Sequence, residues 1–125
     1  MEDIFRIPPE QIPSRLVKNI DVLVPWLPTD PHDLDFAVDR YRETRTVATV
    51  AWDEPFDRVI PRWIKTMTVP TLVLWGRDDG LIPVGQAPAW GALIPDSTVR
   101  LFDDAGHLLL DESPEAVAAV AEFCA

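Results

Sequence analysis

The sequence predicts an α/β fold with two parallel strands, in the order strand, helix, strand, helix. The first observation is the run at residues 69–75, which is apolar without alternation, as in a strand buried on both faces of a parallel sheet. The second is another strand-like run at residues 98–102. The third is the segment between them, in which residues 84–94 favour a crossover helix. Strands joined by such a helix are parallel.

Composition and charge narrow the class of protein. The 125 residues have the size of one domain, and the 47% hydrophobic content is typical of a folded chain. The net charge is -10, and residues 66–125 hold two basic residues against nine acidic ones. Because such a surface repels phosphates, we expect neither nucleic acid nor a membrane as a partner.

The sequence offers no metal cluster and no targeting segment. Cys124 is the single cysteine, which excludes an internal disulfide and a cysteine-rich metal site. The N-terminus lacks the basic flank and apolar core of a secretion signal. The longest uncharged stretch, residues 80–95, is shorter than the ~20 residues that a spanning helix needs, as is the apolar run at residues 66–76. We therefore expect a cytoplasmic protein without a cofactor.

The part before the first strand is predicted to be mostly helical. Six prolines in the first 32 residues allow only short helices there, such as one at residues 9–17. A longer helix is predicted at residues 33–50, with Asp30 or Asp33 as its cap. Apolar residues recur along it at helical spacing: Leu34, Val38 and Tyr41.

Two more helices are predicted on either side of the strand pair. Residues 51–68 have a helical rhythm that two prolines interrupt, which indicates a short helix before the first strand. The last helix begins after Ser113, because a serine N-cap followed by Pro114 and an acidic first turn favours a helix start. Its expected apolar face consists of four residues: Val117, Val120, Ala121 and Cys124.

An acid and a histidine follow the two predicted strands. Asp79 lies in the polar turn after the first strand, and His107 lies 28 positions later, after the second. The carboxyl ends of parallel strands share one edge of the sheet, where sites collect. We therefore expect these side chains to lie side by side. An ionised aspartate fixes the imidazole tautomer and leaves the second ring nitrogen free to take a proton.

Two segments around this pair, PTLVLWGRDDGLIP and AGHLLLDESPE, resemble the C-terminal half of α/β-hydrolase fold enzymes. In that family the penultimate strand ends in a turn with the triad acid, and the loop after the last strand carries the triad histidine. The resemblance implies the C-terminal part of an α/β-hydrolase fold, preceded by a mostly helical cap. It places the helical cap at residues 1–52 and the core part at residues 53–125.

The resemblance also implies catalytic roles for Asp79 as the acid and His107 as the base. Asp79 is preferred to its neighbour Asp78 because the family turn places the acid three residues before an apolar position and four before a proline. Ile82 and Pro83 match that spacing from Asp79.

The resemblance further implies an apolar substrate pocket. Ile82 and Leu108 occupy positions that face the acyl pocket in such relatives, and both are apolar. A small apolar acyl-type substrate is therefore expected.

No nucleophile is expected in these 125 residues. The family's nucleophile lies on a G-x-S-x-G elbow ahead of the acid and the histidine. None of the three serines has such flanking glycines: Ser14, Ser97 and Ser113. The interpretation is a hydrolase fragment that is inactive alone, because losing the nucleophile costs on the order of 10⁶ in rate. The unpaired edge of the first strand is expected to bind the missing N-terminal half or a second copy.

The complete enzyme is expected to hydrolyse a small ester or a related carbonyl or C–C substrate through an acyl-enzyme. The GRDD turn resembles that of C–C bond hydrolases acting on ring-cleavage products, and it also occurs in esterases. One alternative is an Asp nucleophile, as in dehalogenases and epoxide hydrolases. Another is a non-catalytic interaction module that retains only the tail of the fold.

Overall fold

A computed structural model describes residues 6–51 and 59–125 of the chain. Short 3₁₀ helices at Pro9–Gln11 and Ile20–Trp26 flank the first α-helix. The helices and strands follow in the order α1 (Ile12–Leu16), α2 (Leu34–Ala51), α3 (Ile60–Ile64), β1 (Thr71–Gly76), α4 (Gln86–Leu93), β2 (Ser97–Phe102), α5 (Leu109–Glu112) and α6 (Pro114–Phe123).

The two strands form one parallel sheet. Their register pairs Thr71 with Ser97 at one end and Gly76 with Phe102 at the other. The connection between them contains α4, so the predicted order of strand, helix, strand, helix is confirmed. The carboxyl ends of both strands therefore open on the same edge of the sheet.

Helices cover both faces of this sheet. On one face, a Cβ atom on Gly91 of α4 would lie 2.5 Å from Val99 Cγ2, so the glycine allows the helix to approach β2 closely. On the other face, Arg100 of β2 forms an ion pair with Glu122 of α6, with 3.1 Å between Nη1 and Oε2. Successive side chains of a strand point to opposite faces, which puts α4 and α6 on opposite sides.

The core lies between the sheet and α6. Its buried members are Ala105, Leu109 and Ala116, and Leu74 of β1 and Phe102 of β2 pack against them. The alanines belong to the loop after β2 and to α6, so both can lie close to the sheet.

The last helix begins as predicted but buries a different face. The Ser113 hydroxyl accepts a hydrogen bond from the Ala116 amide at 3.2 Å, as an N-cap does. The buried residues of α6 are Ala116 and Ala119. All four residues of the expected apolar face are exposed: Val117, Val120, Ala121 and Cys124. The apolar face predicted from the spacing is therefore not the buried one, and the buried alanines permit a closer approach to the sheet than valine would.

The predicted helix at residues 33–50 is confirmed as α2. Asp33 caps it, since its Oδ1 accepts the Phe36 amide at 3.0 Å. Asp30 organises the preceding turn by accepting the His32 amide at 2.8 Å. Although α2 is the longest helix described, no helix within residues 6–51 and 59–125 combines the length and hydrophobicity that crossing a bilayer requires.

The short helix predicted before the first strand is present as α3. The first part of that predicted segment, residues 52–58, lies outside the described residues. The predicted boundary between a cap at residues 1–52 and a core part at 53–125 falls at the same place, so it stays a prediction.

Candidate active site

Backbone hydrogen bonds join the loop after β1 to the loop after β2. The Arg77 amide donates to the Phe102 carbonyl at 2.9 Å, and the Asp78 amide donates to the Ala105 carbonyl at 3.0 Å. A Cβ atom on Gly76 would lie 2.2 Å from the Ala105 carbonyl oxygen. Glycine is therefore required at the end of β1 for the two loops to approach this closely.

The turn after β1 fixes the orientation of the Asp79 carboxylate. Its Oδ1 accepts hydrogen bonds from the amides of Leu81 at 2.9 Å and Ile82 at 2.8 Å. This is the local arrangement by which aspartate stabilises a turn. Trp75 Nε1 donates to the Ile82 carbonyl at 3.2 Å and ties the far side of the turn to β1. The carboxylate is thereby held with Oδ2 available for another donor.

That second oxygen meets the histidine of the other loop. Asp79 Oδ2 lies 3.0 Å from His107 Nδ1. The Asp79 side chain is 4% exposed and that of His107 is 34% exposed, so the acid is shielded while the ring reaches solvent. Nε2 of His107 has no hydrogen-bond partner among the described residues. The imidazole can thus hold a proton on Nδ1 and accept one at Nε2.

The neighbouring acid faces elsewhere. Asp78 Oδ1 forms an ion pair with Lys18 Nζ at 3.1 Å, and both side chains are well exposed. Adjacent residues in this turn point in different directions, and Asp79 is the one of the two that contacts His107.

Apolar side chains line two depressions at His107. A small depression contains Asp79 and His107, with apolar walls from Leu74, Trp75, Ile82 and Leu109. Leu108 lines a second depression that also includes His107, together with other leucines: Leu72, Leu74, Leu109 and Leu110. We call residues 103–108, between β2 and α5, the histidine loop. Of the two residues predicted to line a substrate pocket, Leu108 lies in this loop and Ile82 shares a depression with His107.

The three serine hydroxyls have local partners. Ser14 and Ser97 donate to backbone carbonyls within six positions in the sequence, and Ser113 caps α6. None of them contacts His107 in the part of the chain that the structure describes. The described residues also contain no group of three or more His, Cys, Asp and Glu side chains that could hold a metal ion.

A segment that sequence reasoning overlooked connects the two loops. The Arg15 carbonyl accepts the Gly80 amide at 3.1 Å, beside the acid. The Leu16 carbonyl accepts both the His107 amide at 2.7 Å and the Leu108 amide at 3.2 Å. We call residues 15–19 the bridging segment.

Glycines mark where the bridging segment touches each loop. A Cβ atom on Gly80 would lie 2.9 Å from Arg15 Cα, and one on Gly106 would lie 3.0 Å from Val17 Cα. These two glycines were the available sequence signal for a close backbone approach, but they do not identify the approaching segment.

Glu112 was also overlooked. Its Oε1 accepts the amides of Lys18 at 2.6 Å and Asn19 at 2.7 Å, and its Oε2 accepts the Gly106 amide at 2.6 Å. In the sequence it is one of nine acidic residues after position 65, and nothing local distinguishes it from the others.

Comparison with known proteins identifies the family. A family model described as alpha/beta hydrolase fold matches residues 20–114. The chain belongs to the α/β-hydrolase fold family. The two parallel strands with their helices are consistent with part of that fold. No solved structure was found to match this α/β-hydrolase chain.

Curated hydrolases are similar to this chain over part of its length. A 2-hydroxy-6-oxo-6-(2'-aminophenyl)hexa-2,4-dienoic acid hydrolase from Metapseudomonas resinovorans is 34% identical over 82 residues, which cover 64% of this chain and 28% of the relative. A 2-hydroxy-6-oxononadienedioate/2-hydroxy-6-oxononatrienedioate hydrolase from Pseudomonas sp is 39% identical over 46 residues, covering 35% and 16%. A poly(3-hydroxyalkanoate) depolymerase from Ectopseudomonas oleovorans is 41% identical over 58 residues, covering 46% and 20%. The chain thus spans less than a third of each of these relatives.

Proposed function

We propose that Asp79 and His107 are the acid and the base of a hydrolytic triad whose nucleophile comes from outside these 125 residues. The observation that carries the proposal is the 3.0 Å contact between Asp79 Oδ2 and His107 Nδ1, with the acid held by two backbone amides. A buried, oriented carboxylate beside a partly exposed imidazole is the arrangement that general-base catalysis requires.

The reaction proceeds in two halves. In the first, His107 Nε2 takes the hydroxyl proton of the nucleophile as its oxygen attacks the substrate carbonyl, and Asp79 stabilises the resulting imidazolium. The tetrahedral intermediate collapses to an acyl-enzyme, and the leaving group departs with the proton from Nε2. In the second half, His107 takes a proton from water as the water oxygen attacks the acyl group. The second tetrahedral intermediate then collapses and releases the acid, while Nε2 returns the proton to the oxygen of the nucleophile.

The surroundings of the pair support a small apolar acyl group as the substrate portion bound here. Ile82 and Leu108, which line the two depressions at His107, would contact that group. Two of the similar proteins are a hydrolase of a 2-hydroxy-6-oxo dienoic acid and a depolymerase of a poly(3-hydroxyalkanoate). These names favour attack on a carbonyl over the aspartate-nucleophile alternative and over a non-catalytic module.

The edge of β1 is the proposed binding surface for the nucleophile-bearing part. Within the described residues β1 pairs with β2 alone, which leaves its other edge without hydrogen-bond partners from a strand. An open parallel edge readily pairs with another chain. We expect the 125-residue chain to self-associate in size-exclusion chromatography with light scattering. A stable monomer at micromolar concentration would contradict this part of the proposal.

Hydrolysis of short p-nitrophenyl esters tests the triad. The 125-residue chain alone should be inactive, and the polypeptide that also includes the upstream coding sequence should hydrolyse the ester. In that longer protein His107→Ala should lower kcat by roughly 10⁵–10⁶-fold, because it removes the general base. Asp79→Asn should lower kcat by about 10⁴-fold, because the base loses the carboxylate that orients it.

Two matched controls accompany these variants. His32→Ala removes the other histidine, and Asp78→Asn removes the neighbouring acid, which pairs with Lys18. Both should leave kcat within twofold of wild type. Full activity in His107→Ala, or an equal loss in Asp78→Asn and Asp79→Asn, would contradict the assignment.

A further inference from the structure

We propose that Glu112 is a positioning residue for His107, holding the histidine loop against the bridging segment. The inference rests on the proposed function, since it concerns the base of the same site. Glu112 touches neither His107 nor Asp79 in the hydrogen bonds described. It acts through the backbone of Gly106, directly before the histidine, and through the bridging segment.

The carboxylate of Glu112 joins two separate segments of the chain. Its Oε2 accepts the Gly106 amide at 2.6 Å, one residue before the histidine. Its Oε1 accepts the amides of Lys18 at 2.6 Å and Asn19 at 2.7 Å, at the end of the bridging segment. Three backbone donors on one carboxylate form a charge-assisted set, which is stronger than the same number of neutral hydrogen bonds.

The bridging segment completes the connection to the histidine. The Leu16 carbonyl accepts the His107 amide at 2.7 Å, so the residue before the histidine and the histidine itself are each held at their backbone. If the hydrogen bonds to Glu112 are lost, the Gly106 amide loses its acceptor and the Lys18 amide of the bridging segment loses its acceptor as well. Both supports of the His107 backbone then loosen together.

The packing around Gly106 leaves no space for a side chain at this position. A Cβ atom at this buried position would lie 3.0 Å from Glu112 Oε2 and 2.9 Å from the Leu16 carbonyl oxygen. The glycine therefore allows the carboxylate and the bridging segment to contact the loop at the same time. With the loop held in this position, His107 Nδ1 lies 3.0 Å from Asp79 Oδ2.

Glu112→Gln is the sharpest variant because it preserves the shape of the side chain. A glutamine has one oxygen where the glutamate has two, so its NH₂ group must face either Gly106 or the pair at Lys18 and Asn19. The hydrogen bonds to one of these two segments are then lost. Glu122→Gln is the matched control, since Glu122 is an exposed glutamate on α6 whose partner is Arg100 at the surface.

The primary readout is the imidazole ¹⁵N spectrum of the 125-residue chain, in solution or in the solid state if it associates. The chain has two histidines, and His32 serves as an internal reference. In wild type the His107 Nδ1 proton should show the signature of a hydrogen bond to a carboxylate. Glu112→Gln should reduce that signature and accelerate exchange of the Gly106 amide by about tenfold or more, while Glu122→Gln changes neither.

Kinetics in the longer, active protein provide the second readout. Glu112→Gln should lower kcat at least tenfold with KM within about twofold, because a displaced base affects the chemical step more than substrate binding. Faster exchange at Gly106 with an unchanged His107 signal and unchanged kcat would overturn the proposal, since Glu112 would then be merely structural.

Two further experimental outcomes would distinguish a failure of this inference from a failure of the proposed function. A displaced His107 signal in Glu112→Gln, together with full activity of Asp79→Asn, would support positioning by Glu112 and overturn the triad. If the variant does not fold, a through-hydrogen-bond coupling between the Gly106 amide nitrogen and the Glu112 carboxyl carbon can be measured in wild type. Its absence would overturn the inference.

Discussion

The region from β1 to α6 and the helix α2 have similar hydrophobic content in the sequence but very different packing. In the first region Ala105 and Ala116 are fully buried and Leu109 is 9% exposed. In α2 the apolar residues Leu34, Tyr41 and Val50 are 69–78% exposed. Helical spacing therefore shows which residues share a face, but it does not show whether anything in the same chain covers that face.

The β1–α6 region owes its order to close backbone approach more than to a large core. No large side chain in the described residues is fully buried. Instead, glycines at the loop ends let backbone segments approach closely. The carboxylates of Asp79 and Glu112 then accept hydrogen bonds from backbone amides in these segments. Substitutions that add atoms or remove hydrogen-bond acceptors in the loops of the site should therefore lower the free energy of unfolding more than substitutions on α2.

Gly76→Ala should have the largest effect on stability. The added Cβ would lie within 2.4 Å of two carbonyl oxygens, those of Ala105 and Gly106, and backbone atoms cannot move aside as a flexible side chain can. We expect a loss of about 3 kcal/mol or more in the free energy of unfolding, measured by urea denaturation with tryptophan fluorescence. Gly85→Ala is the control, because nothing lies within 4 Å of its Cβ position. Equal stability of the two variants would contradict the close approach at the end of β1.

Leu109→Ala and Leu110→Ala compare two adjacent leucines at the start of the same short helix. Leu109 is 9% exposed and packs with Ala105 and Ala116, whereas Leu110 is 55% exposed. Truncating the buried leucine should cost about 2–3 kcal/mol, and truncating the exposed one about 0.5 kcal/mol or less. The same denaturation measurement checks both. A reversed order would mean that α5 packs with its other face.

Ser113→Ala should have a moderate effect. The Ser113 hydroxyl caps α6 and the residue is 5% exposed, so its loss leaves the Ala116 amide without that acceptor. We expect a loss of about 1 kcal/mol in the free energy of unfolding. Ser14→Ala, which removes an exposed hydroxyl from a local bond in the first turn of α1, should cost less. Hydrogen exchange of the first amides of α6 would locate the effect.

Local signals account for what the sequence predicted well. The apolar run of β1, the Ser113–Pro114 start of α6 and the turn at Asp79 each depend on residues within a few positions of one another. The meeting of Asp79 with His107 follows from them, because parallel strands place their carboxyl ends on one edge.

Contacts between distant segments account for what the sequence did not reveal. The bridging segment binds loops that lie more than 60 positions away, and Glu112 binds Lys18 across 94 positions. Nothing near residues 15–19 encodes those partners. The buried face of α6 could not be predicted for a related reason, since the fit of Ala116 against Ala105 depends on the separation of two elements and not on hydrophobicity alone.

Tyr41→Ala should have the smallest effect on the free energy of unfolding. It tests α2, the exposed region in the comparison with the β1–α6 region. Tyr41 lies in the middle of α2 and is 69% exposed, and alanine favours a helix more than tyrosine does. In the 125-residue chain we expect a change within about 0.5 kcal/mol in the free energy of unfolding. Lys18→Ala, at an exposed ion pair, is a control of similar expected size. A loss above about 1 kcal/mol for Tyr41→Ala alone would mean that the apolar face of α2 is covered in solution. The difference between the two regions would then reflect a missing partner of α2 and not a difference in how they are built.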